Sequence, residues 1–475
     1  MTKLTPDLVR DLSDYLASWL ELQRRRRRTP GIQAAIRAGD EVVLDVALGL
    51  SDLDSGEPLT TEHLFRIASH SKTFTATAIF QLLEDGRLRL DDPVQQWVPE
   101  LAGAEVGPVT LRELLGHQAG VIRDGADSDF WQLIGPFPDR EMLLALAREA
   151  GVVYAPNEHF KYSNIGYGLL GLVIEAASGQ SYAEYVGEHI VDRLGLERTG
   201  PELDNSRAAE YAGGHTGLIA GDDERWTIRH VDTRALAAAT GFYSTARDLT
   251  TYGAAHVLGS EALLEDRSKR LMQRLESVVR RRGKDVGRYG VGIELGEVGE
   301  RQVVGHSGGY PGHITRTWID PEDGLVVSVL TNVLEGPATE LAEGLIRIID
   351  LALDVPDDLP AVPDGVDLDR FTGRFVNLWG VTDVVRLGDR LVLLHPTAPN
   401  PVESVDELEV IDDATLRLRP EPGFGNVGER ITYTFSEDDD GVSVSSVRIG
   451  GGTAWPEETF TARREAMVRG EGAPA

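Results

Sequence analysis

Strand-like sequence occurs at both ends of the first 350 residues and almost nowhere between, which restricts the fold more than any other feature. "GIQAAIRAGDEVVLDVALGL", from Gly31, gives two strand-like runs joined by a short turn around Gly39 and Asp40, so it predicts an antiparallel hairpin. From Ser69 to about residue 285 the signals are mostly helical. Thr110 with Glu113 forms a capping box before "LRELLGH", and Thr245 with Asp248 makes a similar start at "STARDLTTYG". Near residue 289 the texture reverts. "YGVGIEL", "RQVVGH", "HITRTWID" and "LVVSVLTN" read as strands divided by turns, and the helix "ATELAEGLIRIIDLAL" closes the region. Hairpin, helical insertion, more strands and a last helix predict an α+β fold: one antiparallel sheet flanked by helices, with a helical subdomain inserted.

At the N-terminus Thr5 and Pro6 read as N-cap and first helical residue, and Leu8, Leu12, Leu16, Trp19 and Leu20 follow at helical spacing, on a helix expected to lie on a sheet. "DVPDDLPAVPDG" reads as a proline-rich linker, 355–366. Beyond it "FTGRFVNL", "VTDVVRLGDRLVLLH", "ELEVIDDATLRLRP" and "ITYTFSEDDDGVSVSSVRI" alternate apolar with polar residues, with turns at Gly388-Asp389, Asp412-Asp413 and Asp440-Gly441. Short strands at this spacing predict a small all-β barrel or sandwich over 367–463. The expected division is therefore a first domain at 1–354, the linker, the β domain, and a disordered tail at 464–475. Phe375, Trp379 and Trp455 are expected as core aromatics of the β domain.

Charge and composition narrow the function. The net charge of −30, from 47 basic and 77 acidic residues, repels nucleic acid and anionic membrane. No run of about 18 apolar residues exists, so no membrane span is expected. The N-terminus lacks the basic-then-apolar order of a secretory signal, and a cytoplasmic location is the expectation. The absence of cysteine rules out disulfides and thiol catalysis. The Arg24 to Arg28 run reads either as a nucleic-acid or targeting patch or as positive charge at a helix C-terminus; the overall charge favours the second.

Two serines compete as nucleophile. Ser307 lies in "GHSGG", which fits the G-x-S-x-G elbow, but an elbow needs a helix directly behind it. Here "GGYPGHITRTWID" follows, a turn into a strand, so Ser307 is placed at a strand end. Ser69 in "IASHSKTFTATAIFQLLEDG" is the better candidate. It stands at a helix start, where free backbone N–H groups can hold an oxyanion, and Lys72 three residues on shares its helix face. A cation in the first turn opposes the helix dipole, and burial further disfavours its charged form. The lysine pKa should fall, and a neutral lysine can take the serine proton. The plain alternative is an N-cap serine with a solvated lysine, and Ser71 competes as the cap.

Further along, "FKYSNIGYGLLGLVIEAASG" puts Tyr162 and Asn164 just ahead of a helix so apolar that it must be buried, and His306 stands beside two glycines in "GHSGG". S-x-x-K, Y-x-N and H-x-G in this order resemble the serine β-lactamase and penicillin-binding-protein superfamily, in its class C β-lactamase-like branch with D-alanyl-D-alanine carboxypeptidases, esterases and D-aminopeptidases. The resemblance covers about residues 30 to 350, including "PGIQAAI", "LFRIASHSKTFTA", "LRELLGHQAGV", "KYSNIGYGLLG", "STARDL" and "GHSGGYPGH". It implies a β-lactamase-like first domain and a lipocalin-like barrel behind it.

The resemblance also implies roles. Ser69 would attack a carbonyl, Lys72 would take its proton, Tyr162 would relay a proton to the leaving group, and Asn164 would orient Lys72 and bond the substrate amide, or else cap its helix. The backbone N–H groups of Ser69 and Gly309 would form the oxyanion hole, with Gly308 beside them in the substrate site. His306 replaces the lysine of many relatives. Histidine is mostly neutral at pH 7, so the site should demand a substrate carboxylate less strongly. Arg316 and His313 could restore a positive clamp or be ordinary strand residues. "RIGGGTAWPEETF" could carry Trp455 into the active site or be a hairpin turn.

The expected function is a serine hydrolase working through an acyl-enzyme, foremost a D-stereospecific aminopeptidase on small peptides or amides. An esterase or weak β-lactamase with the same residues, and an acylated sensor without turnover, are the alternatives. The partner is a small molecule or short peptide, with homo-oligomer formation left open. No cofactor or metal is needed, since the 11 histidines include no H-E-x-x-H.

Overall fold

A computed structural model of the chain describes residues 3–149, 151–420, 425–438 and 441–469. It contains two compact units, Arg24–Glu343, and Met1–Gln23 with Gly344–Ala475. Among the described residues no helix is long and apolar enough to cross a membrane.

The larger unit is built on an eight-stranded antiparallel sheet. β1 (Gly31–Ala38) and β2 (Glu41–Gly49) form the expected hairpin, Ala38 opposite Glu41. The remaining strands are β3 (Ser277–Arg281), β4 (Lys284–Tyr289), β5 (Glu294–Val298), β6 (Arg301–Tyr310), β7 (His313–Ile319) and β8 (Leu325–Thr331), and the order across the sheet is β2-β1-β8-β7-β6-β5-β4-β3. β8 pairs with β1, Ile32 opposite Thr331, so the two ends of the region meet as neighbouring strands of the sheet. β8 is buried along its whole length, which is why it reads as a continuous apolar run.

Two details differ from the sequence reading. β3 and the start of β4 lie within the stretch read as helical, to about residue 285; "SVVRRRGKDVGRY" is mostly solvent-exposed sequence at the margin of the sheet, and its charges hide the period of two. Ser307 lies inside β6 rather than at a strand end, because the turn falls later, at Pro311 and Gly312, the latter with φ +89°.

Between β2 and β3 the helices pack into one core. Every residue from Asn164 to Ile174 in the Asn164–Ser178 helix is buried, as its all-round apolarity requires. It lies against the Ser71–Glu84 helix, itself buried from Ser71 to Leu82. Gly171 permits the close approach on its other side: a Cβ there would come 2.9 Å from that of Ala238. The Ala246–Ala254 helix, N-capped by Thr245 as expected, packs on β1 and β8.

The second unit holds a closed antiparallel barrel of eight strands, from Gly373–Asn377 to Gly452–Pro456. Its core gathers Phe371, Phe375, Leu391, Leu416, Ile431 and Val447. "GGGTAWP" opens with the expected hairpin turn, at Gly450 and Gly451, and Thr453 to Pro456 complete the last strand, pairing Trp455 with Val376 to close the barrel. Of the three aromatics expected in the core, Phe375 is buried and Trp455 is half-buried against Phe460, but Trp379 is 99% exposed at the tip of the first hairpin. The helix Glu457–Arg469 runs through residues 464–469, which the sequence reading left as tail; residues 470–475 and Asp440 lie outside the described residues. The N-terminal helix Ser13–Arg26 contributes to this unit, with the Trp19 indole donating to the Pro396 carbonyl at 3.2 Å and its ring meeting Gly344.

This packing separates two aromatic truncations. Phe371→Ala should cost about 3–5 kcal/mol, as the loss of a fully buried aromatic does. Trp379→Ala should change stability by less than about 0.5 kcal/mol. Urea unfolding of both variants, followed by barrel tyrosine fluorescence and circular dichroism, checks the contrast.

Candidate active site

The Ser71–Glu84 helix is preceded by a single 3-10 turn, Ala68–His70, that carries Ser69. Ala68 adopts φ +48°, a left-handed conformation that costs a residue with a side chain about 1–2 kcal/mol. Ser71 offsets it: its hydroxyl donates to the Ala68 carbonyl at 2.6 Å and accepts the Phe242 N–H at 3.0 Å. Ser71 is thus the fastener of the turn. Ser69 is left half-buried and free to meet other groups.

Lys72 lies one turn on, fully buried. Its amine approaches Ser69 Oγ at 3.2 Å, Asn164 Oδ1 at 2.7 Å and the Ala239 carbonyl at 2.8 Å, and it sits over the ring of Tyr162 at 4.7 Å. Burial pushes its pKa well below the usual lysine value; Asp124 works against that shift and Arg123 adds to it. The solvated-lysine reading is therefore excluded. Asn164 does not cap its helix, since Ser163 does so by accepting the Gly166 N–H. Its amide bridges instead, Oδ1 to Lys72 and Nδ2 donating to Asp124 at 2.6 Å.

Tyr162 donates to Ser69 Oγ at 2.7 Å, and burial raises its pKa above the ordinary phenol value, so it holds its proton. Sequence reading gave no role to the group behind it. His117 adopts φ +56° after Gly116, accepts the Ser163 N–H on Nδ1 at 3.2 Å, and accepts the Lys161 N–H on its carbonyl at 2.7 Å. It grips the chain on both sides of Tyr162 while its ring lies 4.3 Å from the tyrosine ring. Asp124 and Glu294 were likewise missed. Each stands among other surface-type acids in sequence, Asp124 before Asp127 and Asp129 and Glu294 before Glu297 and Glu300, with no spacing that links it to the other groups.

The third motif arrives on β6. A Cβ on Gly308 would fall 2.1 Å from the Ile67 carbonyl oxygen, so only glycine lets the strand press on the segment leading to Ser69. Gly309, next along, is exposed. His306 is buried, and its ring bonds run to Tyr289 Oη at 3.0 Å and to the Ser307 carbonyl at 2.6 Å rather than to Ser69. Burial lowers its pKa to about 4, so it is neutral at pH 7. Ser307 donates to Glu294 at 3.0 Å from inside a strand, and the next element is the strand β7 rather than the helix an elbow requires.

The proposed positive clamp does not form. Arg316 is taken up by Glu294 and Thr339 and lies over Trp318, while His313 is buried beside Phe65 and His230. Phe160, Tyr162, Tyr289, Glu294, Arg316 and Trp318 line a cleft of about 590 Å³ that reaches the tyrosine. Among the described residues no cluster of three or more His, Asp or Glu side chains could hold a metal.

A hydroxyl, a desolvated amine and a phenol within hydrogen-bonding reach can carry out acyl transfer. The Beta-lactamase family model matches residues 8–350. The chain belongs to the beta-lactamase family. Like the hydrolases to which it is similar, this beta-lactamase family member is a serine hydrolase. It is 29% identical over 367 residues to Penicillin-binding protein 4* of Bacillus subtilis (strain 168), covering 74% of this chain and 78% of that one. The octameric penicillin-binding protein homologue from Pyrococcus abyssi superposes with TM-score 0.63 at 25% identity, over 93% of this chain and 99% of its own. D-amino acid amidase from Ochrobactrum anthropi SV3, complexed with D-phenylalanine, superposes with TM-score 0.61 at 25% identity, over 72% and 99%.

The buried amine makes stability depend on pH in a definite direction. In the unfolded chain Lys72 binds its proton up to about pH 10.4, whereas in the folded protein it loses it earlier, so between the two values the unfolded state holds more protons. Folding is therefore favoured increasingly as pH rises through that window. Lys72→Met lacks this term, and the stability difference between wild type and variant should move in favour of wild type as pH increases toward about 10.4. Urea unfolding at several pH values measures it.

Proposed function

We propose that Ser69 is the nucleophile of an amide hydrolase that acts through an acyl-enzyme, and that its substrates are small amides or peptides of D-amino acids. The observation that carries the reading is the convergence of Lys72 Nζ and Tyr162 Oη on Ser69 Oγ, at 3.2 and 2.7 Å. With Lys72 neutral, the serine O–H donates to the amine lone pair, and attack of Oγ on the substrate carbonyl delivers the proton to Nζ. The backbone N–H groups of Ser69 and Gly309 receive the oxyanion, worth about 3–4 kcal/mol per donor. As the C–N bond breaks, Tyr162 gives its proton to the leaving nitrogen and the Lys72 ammonium replaces it. Water then cleaves the ester by the same transfers in reverse. Asn164, tied to Asp124, fixes the amine on this path.

His306 acts on the charge of the cleft and not on the proton path: kept neutral, it makes no demand for a substrate carboxylate. The similarity to D-amino acid amidase supports the choice of amide and stereochemistry. Similarity to an octameric homologue supports self-association, which light scattering measures.

Ser69→Ala should lower turnover of D-alanine p-nitroanilide and p-nitrophenyl acetate by at least about a thousandfold. Ser307→Ala should lower ester turnover by less than about tenfold, and the reverse ranking would return the nucleophile to β6. Nitrocefin, assayed alongside, ranks β-lactam against amide and ester. Gly308→Ala should cost about a hundredfold in kcat with a retained fold, because its methyl group displaces the strand from Ile67.

A further inference from the structure

Asp285, Glu294, Glu297 and Glu343 all line the cleft; Glu294, on β5 opposite Gly305 of β6, is the one whose charge reaches Tyr162 and Lys72. Two of its acceptor positions are filled: Ser307 donates to Oε1, and Arg316 pairs with Oε2. A carboxylate offers about four such positions, so room remains. The exposures of the pair decide which end faces a ligand. The Glu294 side chain is 23% exposed and that of Arg316 only 10%, the guanidinium lying behind the acid, over Trp318 and against Thr339. The other arginine lining the cleft, Arg288, pairs with Glu297. His306, 3.6 Å from Glu294, adds no positive charge at neutral pH. An approaching ligand thus meets a carboxylate first. Burial alone would raise the Glu294 pKa, but Arg316 overrides it and holds the group near 2, so the acid is ionised throughout the working range. Its charge acts on both Tyr162 and Lys72, which places it in the neighbourhood of the nucleophile.

We propose that Glu294 is the anchor for a free α-ammonium group of the substrate, so that the enzyme prefers amino-acid amides and peptides with an unblocked N-terminus over N-acylated ones and over substrates identified by a carboxylate. This rests on the proposed chemistry at Ser69: the α-nitrogen is two bonds from the carbonyl carbon that Ser69 attacks, so a group that holds it must lie beside the nucleophile. Arg316 tempers the acid without removing it. It keeps Glu294 charged and oriented with no substrate bound, and the net attraction for a cation is correspondingly moderate.

The test uses binding, so that it does not depend on turnover. Titration of full-length Ser69→Ala with D-phenylalaninamide and with N-acetyl-D-phenylalaninamide should show the free amine binding at least about tenfold more tightly, the scale of one charge-assisted hydrogen bond. Glu294→Gln in the same background should remove that preference, and Glu294→Asp should restore part of it; thermal melting confirms that each variant is folded. Equal affinity for the two ligands, no binding of the amine, or an undiminished preference in folded Glu294→Gln would each overturn the proposal. Turnover of p-nitrophenyl acetate, which has no amine, by wild type and its loss in Ser69→Ala test the catalytic reading separately.

Discussion

An amine sealed from water among three oxygens is the constraint on which the rest of this structure turns. Lys72 can be placed there only because burial suppresses its charge and because Ser69, Asn164 and Ala239 each offer it an oxygen. The three partners come from distant parts of the chain, so the arrangement exists only once the Ser71–Glu84 and Asn164–Ser178 helices are packed together. That packing explains their composition. Both are buried along most of their length, the second being apolar nearly all round, and the glycines of the second admit close neighbours where a larger residue would hold them off. Apolar burial therefore does two things here: it stabilises the helical core, and it suppresses the charge of the lysine inside it.

The sheet supplies the opposite wall. β6 contributes proximity, obtained by having nothing on Gly308 to hold it away from Ile67. The strained turn at Ala68 is pinned from behind by Ser71 and faced from the front by this strand. Strain of this kind persists only where surrounding contacts overdetermine it. The same strand presents His306 and Ser307 to Tyr289 and Glu294, so that one short segment sets both the approach to Ser69 and the charge of the cleft beside it. A neutral histidine and an ionised, arginine-backed glutamate together make a surface that accepts positive charge.

Much of the site was legible because its members fall at spacings with a mechanical meaning. Ser69 and Lys72 are one helical turn apart, Tyr162 and Asn164 flank a capping serine, and glycines follow His306. The hairpin at residues 31–49, the capping boxes and most barrel strands were legible for a similar reason, since local periodicity and turn chemistry suffice to place them. Where the sequence misled, solvent was usually the cause. β3 is the edge strand and β4 its neighbour, both coated in charge, and the exposed Trp379 looks like a core residue to any reading that scores apolarity alone.

The sequence by itself determined the order of textures, the apolar helix that must be buried, and the pairing of a hydroxyl with an amine on one helix face, because each depends on residues a few positions apart. Only tertiary structure decided that Trp455 closes a barrel, that Ser71 fastens the turn carrying Ser69, and that Arg316 is spent on Glu294 instead of free to bind a substrate carboxylate. Each of those outcomes depends on which distant group fills the space next to a side chain. Spacing along a chain carries no record of that until burial and charge have selected among the alternatives.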